Sequence, residues 1–412
     1  MPQKIVVVGA GVVGISIALE LLRQGHCVQV IDRKGVAAEA SRGNAGAFAF
    51  SDIVPLATPG IMLKAPKWLL DPSGPLSLPP SYAHRIAPWM LRFWRASWQD
   101  RYEHSIVAQT ALMGLSRKAL ERQIAGVDGE SLIRREGQLQ LFEGAREYKA
   151  SLKTWNLRRT HGIEFELLES ARAIAEIQPG IDPRFTHAGY TPQWMNVVDP
   201  KTWVEHLAQT FVAQGGAIEK GDIRALENTA DGVLLTTSDG ETVASKIVVA
   251  CGAWSHHLAR TLGDRIPLET ERGYNTTLPD AAFDLRTHLT FGGHGFVVSR
   301  INDGVRVGGA VELGGLKMAP NYKRADILLR KAARFLPDLK TEGGKQWMGF
   351  RPSMPDSLPV IGISQRAGNV IYAFGHGHLG LTQAAGTAEL VGSIINEKAP
   401  SISIAPYAPT RF

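Results

Sequence analysis

Gly9, Gly11 and Gly14 stand in a Gly-x-Gly-x-x-Gly turn, and Asp32 follows Gly11 by 21 residues. In such a turn the first glycine permits a tight bend. The second lets backbone approach a pyrophosphate, and the third lets a helix pack closely on a strand. A carboxylate at the position of Asp32 suits ribose hydroxyls and disfavours a 2′-phosphate. Val13 in the turn and Arg33 beside Asp32 are expected to share this dinucleotide site. Ser41-Arg42-Gly43-Asn44-Ala45-Gly46 follows. It reads either as backbone passing close to the cofactor or as a plain surface loop. Cys251-Gly252 comes at the end of an apolar run and has the look of another close approach.

The far end of the chain holds a counterpart. Gly375-His376-Gly377-His378-Leu379-Gly380 feeds a helix, and a glycine loop at a helix N-terminus can host negative charge. A reduced flavin is anionic at one edge of its ring. The two loops therefore offer a site for each end of FAD: the pyrophosphate at 9–14 and the isoalloxazine at 375–382. The first turn alone suits NAD equally; the second loop decides for an extended FAD. His376 and His378 stay open between a flavin or pocket contact and a loop histidine bonded to backbone. A metal reading is disfavoured, because no cysteine or carboxylate stands at ligand spacing.

These loops need rigid neighbours. Ile5-Val6-Val7-Val8 is an apolar, β-branched run suited to a parallel strand buried on both faces. Ile15, Ala18, Leu19 and Leu22 recur at helical spacing behind the turn, Gly25 ends that helix, and 28–31 is the next strand. Asp199 and Pro200 read as N-cap and first-turn residue of a helix reaching about Gln214. Residues 217–219 are a short strand. Segments 223–226, 232–236 and 242–244 form an antiparallel meander ahead of the apolar strand 247–250. Residues 370–374 are a strand, and 381–396 the last helix.

The middle of the chain changes character. Prolines recur at 55, 59, 66, 72, 75, 79, 80 and 88. Trp89, Phe93, Trp94 and Trp98 alternate with Arg92 and Arg95. That pattern fits a helix at a membrane interface, or an aromatic helix packed in a core. Helices are expected at 105–125 and 145–159, and strands at 138–142 and 163–168. Further strands are read at 267–275, 290–300, 305–309 and 311–313, with a helix at 326–335. Residues 347–362 read as proline-fixed turns. The expected fold class is α/β: a Rossmann-like FAD-binding domain of glutathione-reductase-like topology, with a second α+β substrate domain on a mixed sheet. The expected division gives 1–85, 166–265 and 346–412 to the cofactor domain, and 86–165 and 266–345 to the substrate domain.

A length of 412 residues favours two domains. The formal net charge is +6 and the basic residues are scattered. This background suits an anionic lipid or ligand and lacks the concentrated face that nucleic acid requires. Cys27 and Cys251, each beside a predicted buried strand, read as packed free thiols and offer no disulfide framework. The strand starting at Lys4 leaves no room for a signal peptide, and no apolar run reaches transmembrane length. The expected location is cytoplasmic, free or peripheral on the inner face of the cytoplasmic membrane.

With these residues in view, the chain resembles the FAD-dependent D-amino-acid dehydrogenases, within the wider glycine oxidase and D-amino-acid oxidase family. The resemblance runs nearly end to end. Its pieces are residues 8–14, 43–46, 59–68, 137–142, 250–255, Arg272-Gly273-Tyr274, 349–359 and 375–380. The resemblance implies non-covalent FAD and hydride removal from the α-carbon of an amino acid with a neutral amine to flavin N5. An imine results and hydrolyses to keto acid and ammonia. It implies Arg351 as the clamp on the substrate carboxylate, beside Gly349 at the cofactor, and Tyr274 as a second carboxylate contact. A bidentate guanidinium–carboxylate pair gives both direction and energy. Electrons would pass to a respiratory quinone or another carrier.

Two departures bear on substrate choice. His378 stands where many such dehydrogenases have threonine, and 194–199 differs although Asp199-Pro200 is kept. D-proline, hydroxyproline isomers and secondary amines such as sarcosine stay open. So do two other readings: an amine-, sarcosine- or glycine-type oxidase using O2, and a flavin-binding electron-transfer subunit of a larger complex. Cysteinyl flavin attachment in the C-terminal third is excluded, since no cysteine lies there.

Overall fold

The computed structural model describes residues 2–71 and 74–412. Pro72, among the recurring prolines, therefore lies outside the described residues. Strand Lys4–Val8 pairs in parallel with Cys27–Asp32 on one side and Lys246–Val249 on the other. Ala217–Lys220 and Val370–Phe374 extend the parallel set, and Val360–Ile363 closes it antiparallel. Both faces of this sheet are covered, which is why its strands are apolar without alternation. Ile5, Val7 and Val248 pack among helices Val12–Arg23, Pro200–Ala213 and Gly380–Ile395. Val6, Val8 and Val249 pack against Leu226, Val233 and Leu235 of the antiparallel meander. The helix at Pro200 starts as its sequence predicts: the Asp199 carboxylate accepts from the Thr202 amide at 2.9 Å.

The second sheet is large and mixed. From one edge it runs Lys345–Ser353, Glu269–Leu278, Gly304–Glu312, Phe296–Ile301, His288–Phe291, Gln138–Glu143, Phe185–Thr191 and Glu166–Leu168, with Leu76–Ser77 beside Gly304–Glu312. Helix Lys323–Phe335 covers one face through Leu328, Ala332 and Phe335, which meet Val305, Val307 and Val298. The opposite face looks toward the cofactor sheet. The two-part α/β organisation is thus the one expected.

Several local expectations change. Residues 166–168 and 185–191 belong to the large sheet, so the expected boundary at 165/166 falls inside it. The short strand at 166 has no partner of its own until residues 185–191 return to it. Residues 345–353 form an edge strand where turns were expected, and the edge explains why Pro352 is tolerated. The segments 305–309 and 311–313 are one strand, irregular at Ala310, whose φ is +55°. Cys27 is exposed at the start of its strand, so only Cys251 is a partly covered thiol.

The aromatic helix Pro80–Ala96 divides its residues between the two readings. Trp89 is buried and stacks on Phe93 at 5.2 Å. Leu91, Trp94 and Trp98 are 64%, 48% and 47% exposed, and the Arg95 guanidinium lies over the Trp98 ring, so one side of this segment is an exposed apolar surface edged by arginine. No helix among the described residues is long and apolar enough to cross a membrane.

Candidate active site

The glycine turn is built by close contacts. Gly9 has φ +113°, and a Cβ there would lie 2.5 Å from the Ala250 carbonyl oxygen. A Cβ on Gly14 would lie 1.9 Å from the Gly9 oxygen. The helix that follows has neither a capping side chain at Gly11 nor an acidic residue in its first turn. Ser41 Oγ accepts from the Val12 amide at 3.0 Å. Asp32 ties the turn to the next loop by accepting from Ala10, Lys34 and Gly35 amides at 2.8, 2.7 and 2.9 Å. Arg33 lies over the Trp254 ring, 3.9 Å from its centroid, and pairs with Glu39.

The last helix starts in the same way, without a side-chain cap or an acid in its first turn. Both helix starts open onto one cavity of about 830 Å³. Gly9, Gly11, Val13, Asp32, Arg33, Ser41, Gly43, Asn44 and Ala45 line its first part. Cys251 and Gly252 line it further on, as do Gly349, Arg351, Gly375, His376, Gly377, His378, Leu379 and Gly380. Gly14, Arg42 and Gly46 do not. Gly14 serves the packing of helix on strand, Arg42 is exposed, and Gly46 gives its carbonyl to the Val197 amide.

The far wall is the face of the large sheet. Glu271, Gly273 and Asn275 stand across from Arg351, Gly349 and Trp347, and alternation puts all six on that face. The Arg351 guanidinium lies along it, donating to the Ala310 carbonyl at 2.9 Å. A Cβ on Gly273 would come 2.4 Å from its Nη2. Burial lowers the Arg351 pKa, and the charge of Glu271 works against that. The Trp347 ring lies between Gly43 and Gly349, where added Cβ atoms would be 2.3 and 2.0 Å from it. Arg306 Nη1 donates to the Asn44 carbonyl at 2.6 Å and fastens the 41–46 loop to the wall.

Tyr274 departs from expectation. Tyr274 is among the residues that line the cavity, but it is one residue out of phase with Gly273 and its hydroxyl is engaged on the other side of the sheet. There its hydroxyl donates to Glu312 Oε2 at 2.5 Å and accepts from the Asn321 amide at 3.0 Å. Arg272 joins the same buried pair, 3.0 Å from Glu312. The structure therefore does not bring the Tyr274 hydroxyl to Arg351. His378 Nε2 lies 3.0 Å from Asp52 Oδ2. Burial works to raise the Asp52 pKa, but the His378 hydrogen bond and charge outweigh it and the net direction is down. His376 is buried with Nε2 2.9 Å from Thr387 Oγ1, and burial drives its pKa down to about 3.

Several wall residues were not singled out from sequence: Glu271, Asn275, His288, Thr290, Arg306 and Trp347. The alternation of the strand around Glu271 was legible. Which of its two faces meets the cofactor was not. The cavity fits a dinucleotide with a polar-edged ring. Two helix starts without a capping side chain at their own N-cap residue face it, and Asn275 Oδ1 and Thr290 Oγ1 are buried on its wall without partners.

A nucleotide-binding sheet facing a second mixed sheet across one long cavity defines a dinucleotide-dependent oxidoreductase. Residues 4–394 match the DAO family, described as FAD dependent oxidoreductase, and the chain belongs to it. The chain is an enzyme class member whose cofactor is FAD. It is 36% identical to a D-amino-acid oxidase of Bradyrhizobium diazoefficiens, and 32% identical to a D-amino acid dehydrogenase of Rhizobium johnstonii, covering 100% of both chains in each case. Its fold superposes on that of glycine oxidase from Geobacillus kaustophilus with a TM-score of 0.80 at 19% identity, covering 100% of this chain and 99% of the other.

Proposed function

We propose that the chain oxidises a D-amino acid, with D-proline and hydroxyproline isomers among its candidate substrates, and passes the electrons to a quinone or another carrier. The observation that carries this reading is Arg351, a buried-wall guanidinium facing the cavity with no carboxylate paired to it among the described residues. Such a group suits a ligand carboxylate, which it can take as a bidentate pair. The names of the two curated relatives support the same substrate class.

Residues 9–14 and Asp32 would hold the pyrophosphate and ribose of FAD, and 375–380 the ring end. FAD when bound supplies the two-electron acceptor for the hydride of the substrate α-carbon. Arg351 orients that carbon by fixing the carboxylate next to it. Trp347 and the 41–46 loop limit access of water to this part of the cavity. His378 and Asp52, at the 375–380 end, shape the space available to a side chain.

Anaerobic bleaching of the flavin with paired D- and L-amino acids tests the reading. The expected result is reduction by D-isomers, cyclic ones included. Reduction by L-isomers only would overturn it. An oxidase reading is favoured by the 36% identical relative. Under that reading, turnover in air releases one hydrogen peroxide per substrate without an added acceptor. The bare side of the aromatic helix supports contact with a membrane from its cytoplasmic side, where a quinone acceptor would be found.

A further inference from the structure

Five acids line the cavity: Asp32, Glu39, Asp52, Asp222 and Glu271. Asp32 is held by backbone amides, Glu39 by Arg33 and Lys34, Asp52 by His378, and Asp222 by Arg224. The Glu271 carboxylate has no hydrogen bond or ion pair with any described residue, yet Glu271 is only 5% exposed. Its one charged neighbour is Arg351, whose charge it feels without an ion-pair contact, and it stands on the cavity wall. A carboxylate so placed has acceptor capacity left for a donor brought by a ligand.

The neighbour of Glu271 says what that ligand carries. Glu271 and Arg351 are direct partners across the ladder, so their side chains rise from the same face. They form no ion pair within 4.0 Å. Gly273 permits this, since its bare backbone lets the guanidinium lie toward Ala310 and away from Glu271. The wall thus presents a positive and a negative group side by side, each unpaired with the other. A ligand that matches has a carboxylate and an N–H donor on the same carbon.

We propose that Glu271 accepts a hydrogen bond from the α-amino nitrogen of the substrate, or from the ring N–H of a cyclic imino acid, while Arg351 holds the carboxylate. This rests on the amino-acid reading above and adds the residue that tells an amino acid from a carboxylic acid of the same skeleton. Glu271 is then a binding and specificity residue. A simple carboxylate satisfies Arg351 but gives Glu271 no donor and sets a like charge beside it, so the site disfavours it.

The test uses the purified holoenzyme and its E271Q and E271D variants. Kd values are read from the flavin absorbance perturbation for D-proline and for cyclopentanecarboxylate, which lacks the nitrogen. Anaerobic reduction by amino acids is followed in parallel. E271Q is expected to weaken D-proline by ~10-fold or more, through loss of a charge-assisted hydrogen bond. It should bind cyclopentanecarboxylate as well as or better than the parent, and E271D should recover part of the D-proline affinity. Equal weakening of both ligands marks a structural role and overturns the proposal, as does no change in either. If D-proline and the other amino acids bind with this contrast but none bleaches the flavin, the oxidation reading fails while the receptor stands. If amino acids bleach parent and E271Q alike with unchanged Kd, the receptor fails while the oxidation reading stands. A parent that binds no amino acid overturns both.

Discussion

Tyr274 and Arg351 stand on opposite faces of the same pair of strands. Arg351 is across from Glu271, and Tyr274 is across from Met348. One face meets the cavity and the other meets the layer behind, so a single-residue difference in phase separates two groups expected at one carboxylate.

Arg351 on the cavity face is expected to govern substrate affinity. Arg351→Lys replaces a fixed fork with a point charge and should raise KM by roughly tenfold or more while FAD content holds. Steady-state kinetics of the flavin-replete variant decides it. An unchanged KM removes Arg351 from the substrate contacts.

Tyr274 is expected to govern stability. Tyr274→Phe takes a donor from the buried Glu312, which is 4% exposed at its side chain. The cost should be about 1–3 kcal/mol in denaturant unfolding, with KM unchanged. A large KM rise at unchanged stability would return Tyr274 to the substrate site.

Gly14 is expected to control cofactor retention. A Cβ at this position runs into the Gly9 carbonyl, 1.9 Å from its oxygen and 3.0 Å from its carbon, with no flexible side chain to yield. Gly14→Ala must push the first helix off its strand and move the helix start out of the cavity. The flavin-to-protein absorbance ratio should fall severalfold. Gly114, in a helix interior with open space around it, is the control. Gly114→Ala should keep full flavin and gain up to ~1 kcal/mol.

Acid should loosen the fold as soon as histidines of the unfolded chain begin to take up protons. Burial lowers the His288 pKa to about 4 and the His376 pKa to about 3, from an ordinary 6.5. Below pH 6.5 the unfolded chain therefore binds protons that the folded chain refuses, and stability falls as pH drops. The loss continues until the folded values of about 4 and about 3 are reached. Each histidine contributes a slope of up to ~1.4 kcal/mol per pH unit in that window. Urea midpoints between pH 7 and 5 should decline, and His376→Asn should decline less steeply. A flat parent profile would show that these rings are protonated in the fold.

The bare side of the aromatic helix should carry membrane contact. Replacing Leu91, Trp94 and Trp98 with serine removes apolar groups that stand about half or more in solvent. Cosedimentation with anionic vesicles should drop severalfold, with flavin reduction unchanged. Parent protein that does not sediment with the vesicles would count against the membrane reading.

The cofactor half of the molecule was open to the sequence because its signals are short-range. The glycine spacing at 9–14, the apolar strands beside it and the loop at 375–380 each state a local backbone need, and each stands in the cavity wall or just behind it. The Asp199 cap at Thr202 is of the same kind. The division of the chain was less legible. Glu166–Leu168 and Phe185–Thr191 declare their sheet only by pairing with Gln138–Glu143, and local pattern does not name a distant partner.

The sequence by itself determined a dinucleotide cofactor, since glycine spacing and the strands beside it state local needs, while the arginine expected at a carboxylate came from the family resemblance. Only the tertiary structure decided the cavity wall. Glu271, Gly273, Ala310 and Arg351 come from three strands, and their meeting depends on ladder register and on which sheet face is turned to the cavity. Register is a long-range property, and a shift of one residue exchanges the faces. That exchange turns the Tyr274 hydroxyl to Glu312 and sets Glu271 beside Arg351.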